Sequence, residues 1–132
     1  MAGSLLYLDS SALVKLVVAE PESRALRELL TSWPERVTSA IARIEVARAA
    51  RRVGRGAVRR AEAVVGRITL VELDDAVLEL AASLDPATLR ILDAIHLATA
   101  LTLGDDLGAL CAYDARLVEA ASAAGIEVLT PA

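Results

Sequence analysis

Four acidic residues stand where a carboxylate needs a reason: Asp9, Glu45, Asp93 and Asp114. Asp9 ends the apolar run "LLYL" and Asp114 follows "LCAY", so each falls just beyond a strand-like segment. In open α/β sheets ligands bind outside the carboxyl ends of the strands, which singles out both positions. Each can equally cap the helix that follows, and one residue can do both. Asp93 lies in "RILDAIHLATAL", where apolar residues occupy every face of the helix. An ionised carboxylate buried there is costly unless a cation or several donors compensate it; the alternative is a cap at the helix start. Glu45, in "RIEVARAA", has Arg48 three residues on and Arg52 a further turn away, and taken alone it reads as a surface ion pair.

Brought into one cleft, four carboxylates would repel one another and hold raised pKa values unless a hard divalent cation joined them. Mg²⁺ or Mn²⁺, held by a few carboxylates and several waters, meets that need. The chemistry it offers is hydrolysis of a phosphodiester by a water that deprotonates near neutral pH. Two other side chains draw attention. His96, one turn beyond Asp93, reads as a packed, hydrogen-bonded core residue, and Cys111, inside a strand-like run with no basic neighbour in view, reads as core.

The elements that must position these groups alternate. Strands are expected at "SLLYL", "RVTS", "ITLVEL", "LGALCAY" and "IEVLTP". Helices are expected at "SSALVKLVVAE", "PESRALRELLTSW", "AIARIEVARAARRV" closed by Gly54 and Gly56, Ala57 to Gly66, "DAVLELAASL" capped by Asp74, "LRILDAIHLATALTLG" and "DARLVEAASAAG". Short apolar strands between helices predict an α/β sandwich around a mainly parallel sheet covered on both faces. With no repeat or linker in view, residues 1–132 are expected to form a single domain.

Composition narrows the setting. Of 132 residues 55% are apolar but only 2% aromatic, with no Phe, so the core is aliphatic. A lone cysteine excludes an internal disulfide, and no secretory signal or spanning apolar run is evident, so a reducing, cytoplasmic location without membrane contact is expected. The net charge of -4 is uneven: residues 43–67 carry eight arginines against two glutamates, for +6, and the remainder carries -10. Within that window Arg48, Arg51 and Arg52 are candidate phosphate contacts, since the guanidinium fork matches phosphate oxygens; a solvated helix pair is the plainer reading.

Taken together, "YLDSSALVKL", "RIEVARAA", "LRILDAIHLATAL" and "AYDARLVEAASAAGIEVLTP" resemble, in order and across essentially the whole chain, the four motifs of the PIN-domain ribonucleases, and among them the VapC toxins of toxin-antitoxin pairs. The resemblance implies a PIN-like three-layer α/β/α sandwich and an acidic quartet of Asp9, Glu45, Asp93 and Asp114 that binds metal and catalyses. It implies a Mg²⁺- or Mn²⁺-dependent endoribonuclease, a homodimer, and a cognate VapB-type antitoxin whose C-terminal segment blocks the cleft. Ser11 falls where the family often has a polar residue able to hold a carboxylate or a metal-bound water. Two positions depart from the pattern: Ala112 replaces a frequent hydroxyl residue two before the last Asp, and Ile91 a frequent Thr. Beside the toxin reading stand a PIN ribonuclease of RNA processing and a catalytically silent PIN-fold binding module. A phospho-acceptor receiver domain is disfavoured because the only lysine, Lys15, lies beside the first motif rather than after a late strand.

Overall fold

A computed structural model describes residues 3–132. The chain runs β1 (Leu5–Leu8), α1 (Ser10–Val17), α2 (Ser23–Leu30), β2 (Arg36–Ser39), α3 (Ala42–Arg51), α4 (Arg55–Val65), β3 (Thr69–Val71), α5 (Asp75–Ser83), α6 (Ile91–Thr102), β4 (Leu107–Cys111), α7 (Ala115–Ala123) and β5 (Val128–Leu129). The strands form one sheet in the order β3-β2-β1-β4-β5, and every pairing is parallel. β1 is therefore central and its alternation decides the layering. Leu6 and Leu8 face a core built from α1 to α4, including Leu13, Leu26 and Val46. Tyr7 faces the opposite core, with Leu97 of α6 and Leu117 of α7. Helices thus cover both faces of the sheet, as the three-layer reading expects.

Several boundaries differ from the periodicity-based ones, each for a local reason. The second helix starts at Ser23 rather than Pro21, because the Ser23 hydroxyl turns back onto the Lys15 carbonyl at 2.6 Å and ties α2 to α1. Gly54 and Gly56 do not merely close α3. Gly54, at φ 145°, is the hinge residue that starts α4, and Gly56 lies inside it. The helix carrying Asp93 begins at Ile91, with Arg90 at its N-cap, so Asp93 lies in the first turn and is not the cap. Asp74 caps α5 through a 2.9 Å bond from the Val77 amide. At the opposite edge of β4, Gly108 allows close packing: a Cβ there would lie 2.6 Å from the Trp33 ring.

Candidate active site

Parallel strands point their carboxyl ends the same way, so the turns after β1, β2 and β4 open onto one edge of the sheet. Asp9 follows β1 directly and caps α1, accepting from the Ala12 amide at 2.9 Å. Asp114 follows β4 and caps α7, accepting from the Arg116 and Leu117 amides at 3.0 and 3.2 Å. Glu45 occupies the first turn of α3 and Asp93 the first turn of α6. Capping and presentation at the edge are therefore the same act for Asp9 and Asp114.

The four carboxylates are handled differently. Asp9 is almost completely buried, 3% exposed. The Ser11 hydroxyl straddles its two oxygens at 2.7 and 2.9 Å and itself accepts from the Tyr113 amide at 3.0 Å. Among the described residues it has no cationic salt-bridge partner. Burial raises its pKa, and the Ser11 and Ala12 bonds only partly oppose that.

Glu45 does not pair with Arg48 or Arg52. Its Oε1 accepts from the Ser10 hydroxyl at 2.5 Å and lies 2.8 Å from Nε2 of His96. His96, 2% exposed, also lies 3.0 Å from Ser10 Oγ, and its Nδ1 is 2.7 Å from the Tyr7 hydroxyl. Burial pushes the Tyr7 phenol well up, so it stays protonated and able to donate to Nδ1. That arrangement leaves the Nε2 proton of His96 aimed at Glu45. Burial acts to raise the Glu45 pKa, but the His96 and Ser10 bonds outweigh it and the net direction is down. This chain of bonds joins α1 and α3 of one helical layer to α6 of the other, across the edge of the sheet. His96 is thus packed and hydrogen-bonded, and its partner is a candidate site residue.

Asp93 and Asp114 share one cation. Arg90 donates from Nε to Asp93 Oδ2 at 3.0 Å and from Nη2 to Asp114 Oδ2 at 2.7 Å. Burial acts to raise the Asp114 pKa; the Leu117 and Arg116 amides and Arg90 together bring it below its ordinary value. Arg90 supplies the positive charge that a carboxylate in the first turn of so apolar a helix requires. Sequence reasoning passes over this position, although its spacing, three residues before Asp93 and six before His96, is visible along the chain.

The candidates accordingly meet at one edge as two groups, and no three acidic, histidine or cysteine side chains among the described residues form a ready metal cage. The donor set still suits a hard cation. It is all carboxylate oxygen, one buried member lacks a cationic partner, and two others already converge on a single positive charge. Cys111 is buried and its thiol is pushed up to about 12, chiefly by burial and further by Asp9, which keeps it protonated within the core. Arg48, Arg51 and Arg52 are all exposed and line one surface concavity of about 400 Å³ on α3, within about 10 Å of Glu45 along the helix axis. Ala112 is fully buried, and Ile91 projects from the α6 start, 79% exposed.

No helix of the described residues is long and apolar enough to cross a membrane. The PIN domain family model matches residues 6–123. Ribonuclease VapC46 of Mycobacterium tuberculosis is 51% identical over 126 residues, covering 96% of this chain and 97% of that protein. Ribonucleases VapC35 and VapC47 of the same species are 42% and 37% identical over the same shares. Among solved structures, a toxin-antitoxin complex from Klebsiella pneumoniae superimposes with a TM-score of 0.74 at 24% identity, covering 96% of this chain and 98% of that one. VapC20 of M. tuberculosis, described as a sarcin-ricin loop cleaving toxin, gives 0.73 at 21% identity, covering 96% and 99%. With a parallel sheet between two helical layers, a family model matched over residues 6–123, and a relative above half identity over nearly the whole chain, this chain belongs to the PIN-domain family and, within it, to the VapC toxins.

Proposed function

We propose that the protein is the RNA-cleaving toxin of a toxin-antitoxin pair, with Asp9, Glu45, Asp93 and Asp114 as the groups that hold Mg²⁺ or Mn²⁺ and carry the reaction. The observation that carries this reading is the placement of all four carboxylates at the carboxyl edge of one parallel sheet, on a chain 51% identical to a ribonuclease. When bound, such a cation would lower the pKa of a coordinated water and neutralise phosphate charge during hydrolysis.

The protein's own residues do the rest. Ser11 fixes both oxygens of Asp9, and the Ala12 amide holds its orientation. Ser10 and His96 hold one oxygen of Glu45, leaving the other free to face the cleft. The amides that open α7 lock Oδ1 of Asp114, so that Oδ2 is the oxygen available for coordination. Arg48, Arg51 and Arg52 offer an exposed row of guanidinium forks along which an RNA backbone can lie. A VapB-type antitoxin and a homodimer complete the reading. The exposed Leu78 and Ile91, which border a groove of about 470 Å³ between α5 and α6, are apolar surface that a partner chain would cover.

The test is cleavage of total and transfer RNA by the purified protein with Mg²⁺ or Mn²⁺, beside a chelator control and the Asp9→Asn variant. Metal-dependent cutting that vanishes in the variant is the expected result. Cutting that persists in chelator, or is untouched by the substitution, would sink the metal-quartet mechanism. Growth arrest on induction, relieved by a co-expressed small upstream gene, separates a toxin from a ribonuclease of RNA processing.

A further inference from the structure

The Arg90 guanidinium bridges two of the four proposed cation ligands. Its Nε and Nη2 hydrogens leave the same edge of one planar group, yet they reach carboxylates on two different elements, Asp93 of α6 and Asp114 at the start of α7. On each carboxylate it takes Oδ2. For Asp114 that is the oxygen the helix amides leave unused. Arg90 is therefore bonded to the one Asp114 oxygen that the helix leaves open for a metal, and to one of the two oxygens of Asp93.

The hold is secure enough to matter and weak enough to yield. The Arg90 side chain is 54% exposed, so its ion pairs work against solvent and salt. Arg90 sits at the N-cap of α6 without a side-chain capping bond, so swinging out breaks its two ion pairs but no capping bond. A guanidinium also spaces two carboxylates more widely than a small hard cation does. The same cation relieves Asp93 and Asp114 of mutual repulsion while no metal is bound.

We propose that Arg90 is a displaceable internal counter-ion that occupies the Asp93 and Asp114 oxygens in the metal-free protein, competes with the divalent cation for them, and so sets the metal affinity of the site. This rests on Asp93 and Asp114 being cation ligands. The freed guanidinium would remain at the cleft, beside the phosphate that the site is built to receive.

The experiment is calorimetric titration of the full chain with MnCl₂, without RNA, for wild type, Arg90→Ala, Arg90→Lys, Arg116→Ala and Asp93→Asn. Arg116 serves as the charge control, because it neighbours Asp114 in sequence but its side chain forms no ion pair among the described residues. Competition predicts Mn²⁺ binding about three- to tenfold tighter in Arg90→Ala, as two part-exposed ion pairs no longer need displacing. Arg90→Lys, which lacks the fork, should fall between the two, and Arg116→Ala should stay within about twofold of wild type. Thermal melting supplies a second readout: Arg90→Ala should melt below wild type in EDTA and gain more from Mn²⁺. Unchanged or weaker binding in Arg90→Ala, or an equal gain in Arg116→Ala, overturns the proposal while Asp93→Asn still shows the site to be real. If wild type binds no Mn²⁺ and Asp93→Asn changes nothing, the metal reading itself falls and takes this one with it.

Discussion

The two halves of the site are built on opposite principles. On one side, Tyr7, His96, Ser10 and Glu45 form a closed run of hydrogen bonds whose central imidazole is 2% exposed. On the other, Asp93 and Asp114 are joined only by a half-exposed arginine. A buried network that is fully satisfied fixes one geometry, whereas a part-exposed ion pair is worth little and exchanges readily. The contrast points to a division of labour: the Glu45 side is set in advance by folding, and the Asp93–Asp114 side adapts to what binds. Asp9 stands between them, buried like the first group but without the cation of the second.

The largest test of that contrast is Asp9→Asn. Activity should fall by about three orders of magnitude, since a carboxylate at the reacting centre is lost. Stability in EDTA should rise, because Asn keeps an acceptor for Ser11 and Ala12 and removes a buried charge; a gain of ~1 kcal/mol would add several degrees to Tm. The sign follows from the direction of the shift. Burial holds the Asp9 pKa above its ordinary 3.8, so its ionised form costs stability at neutral pH, and that cost disappears as pH falls toward and below 3.8. The Tm advantage of the variant should therefore be greatest near pH 7 and vanish in acid. An Asp9→Asn protein less stable than wild type at pH 7 would mean that the buried charge is better compensated than its neighbours suggest.

Next in size is His96. His96→Ala deletes the donor to Glu45 and leaves the Tyr7 hydroxyl without its acceptor. It should cost about 2 kcal/mol of stability and about 10- to 100-fold in activity. His96→Gln, whose amide can approach the Nε2 position, should recover part of the metal affinity, which a purely packing role for His96 would not produce. Equal metal affinity in both variants and wild type would remove the claim that this half is set in advance.

The arginine row offers a smaller and more selective effect. Replacing Arg48, Arg51 and Arg52 together by Ala should raise KM for RNA and lessen the salt dependence of binding, by about 0.7 in logarithmic slope for each single-strand phosphate that is no longer neutralised. The melting temperature should hardly move, because all three are exposed. Steady KM and unchanged salt slope would return the segment to a solvated helix face.

The smallest effect separates Glu45 from Asp9 by sign. Glu45 has its pKa held below the ordinary 4.5, so its bonds contribute stability above that pH and lose it as the pH falls through the lowered value. Glu45→Gln should flatten the acid side of the stability profile, opposite in sense to Asp9→Asn. Melting curves from about pH 3 to 7 for both variants would show whether the two halves titrate in opposition.

Much of this is legible along the chain. Apolar runs mark the strands, Asp74 announces its helix start, and Asp9 and Asp114 stand at strand ends because caps and sheet edges obey local rules. The basic segment is plain from charge alone. What does not show is who partners whom. Glu45 has two arginines at helical spacing and bonds instead to His96, 51 residues away, since α3 and α6 pack from opposite faces and meet beside the carboxyl end of β1. Arg90 reaches Asp93 within its own helix start but Asp114 across 24 residues. By itself the sequence determined the alternation of elements, their caps, the aliphatic core and the acids brought to the sheet edge, because these follow from periodicity and backbone chemistry. Only the tertiary structure decided which acids are neutralised, by which group and how firmly, because burial and distance between side chains exist only once both helical layers close on the sheet.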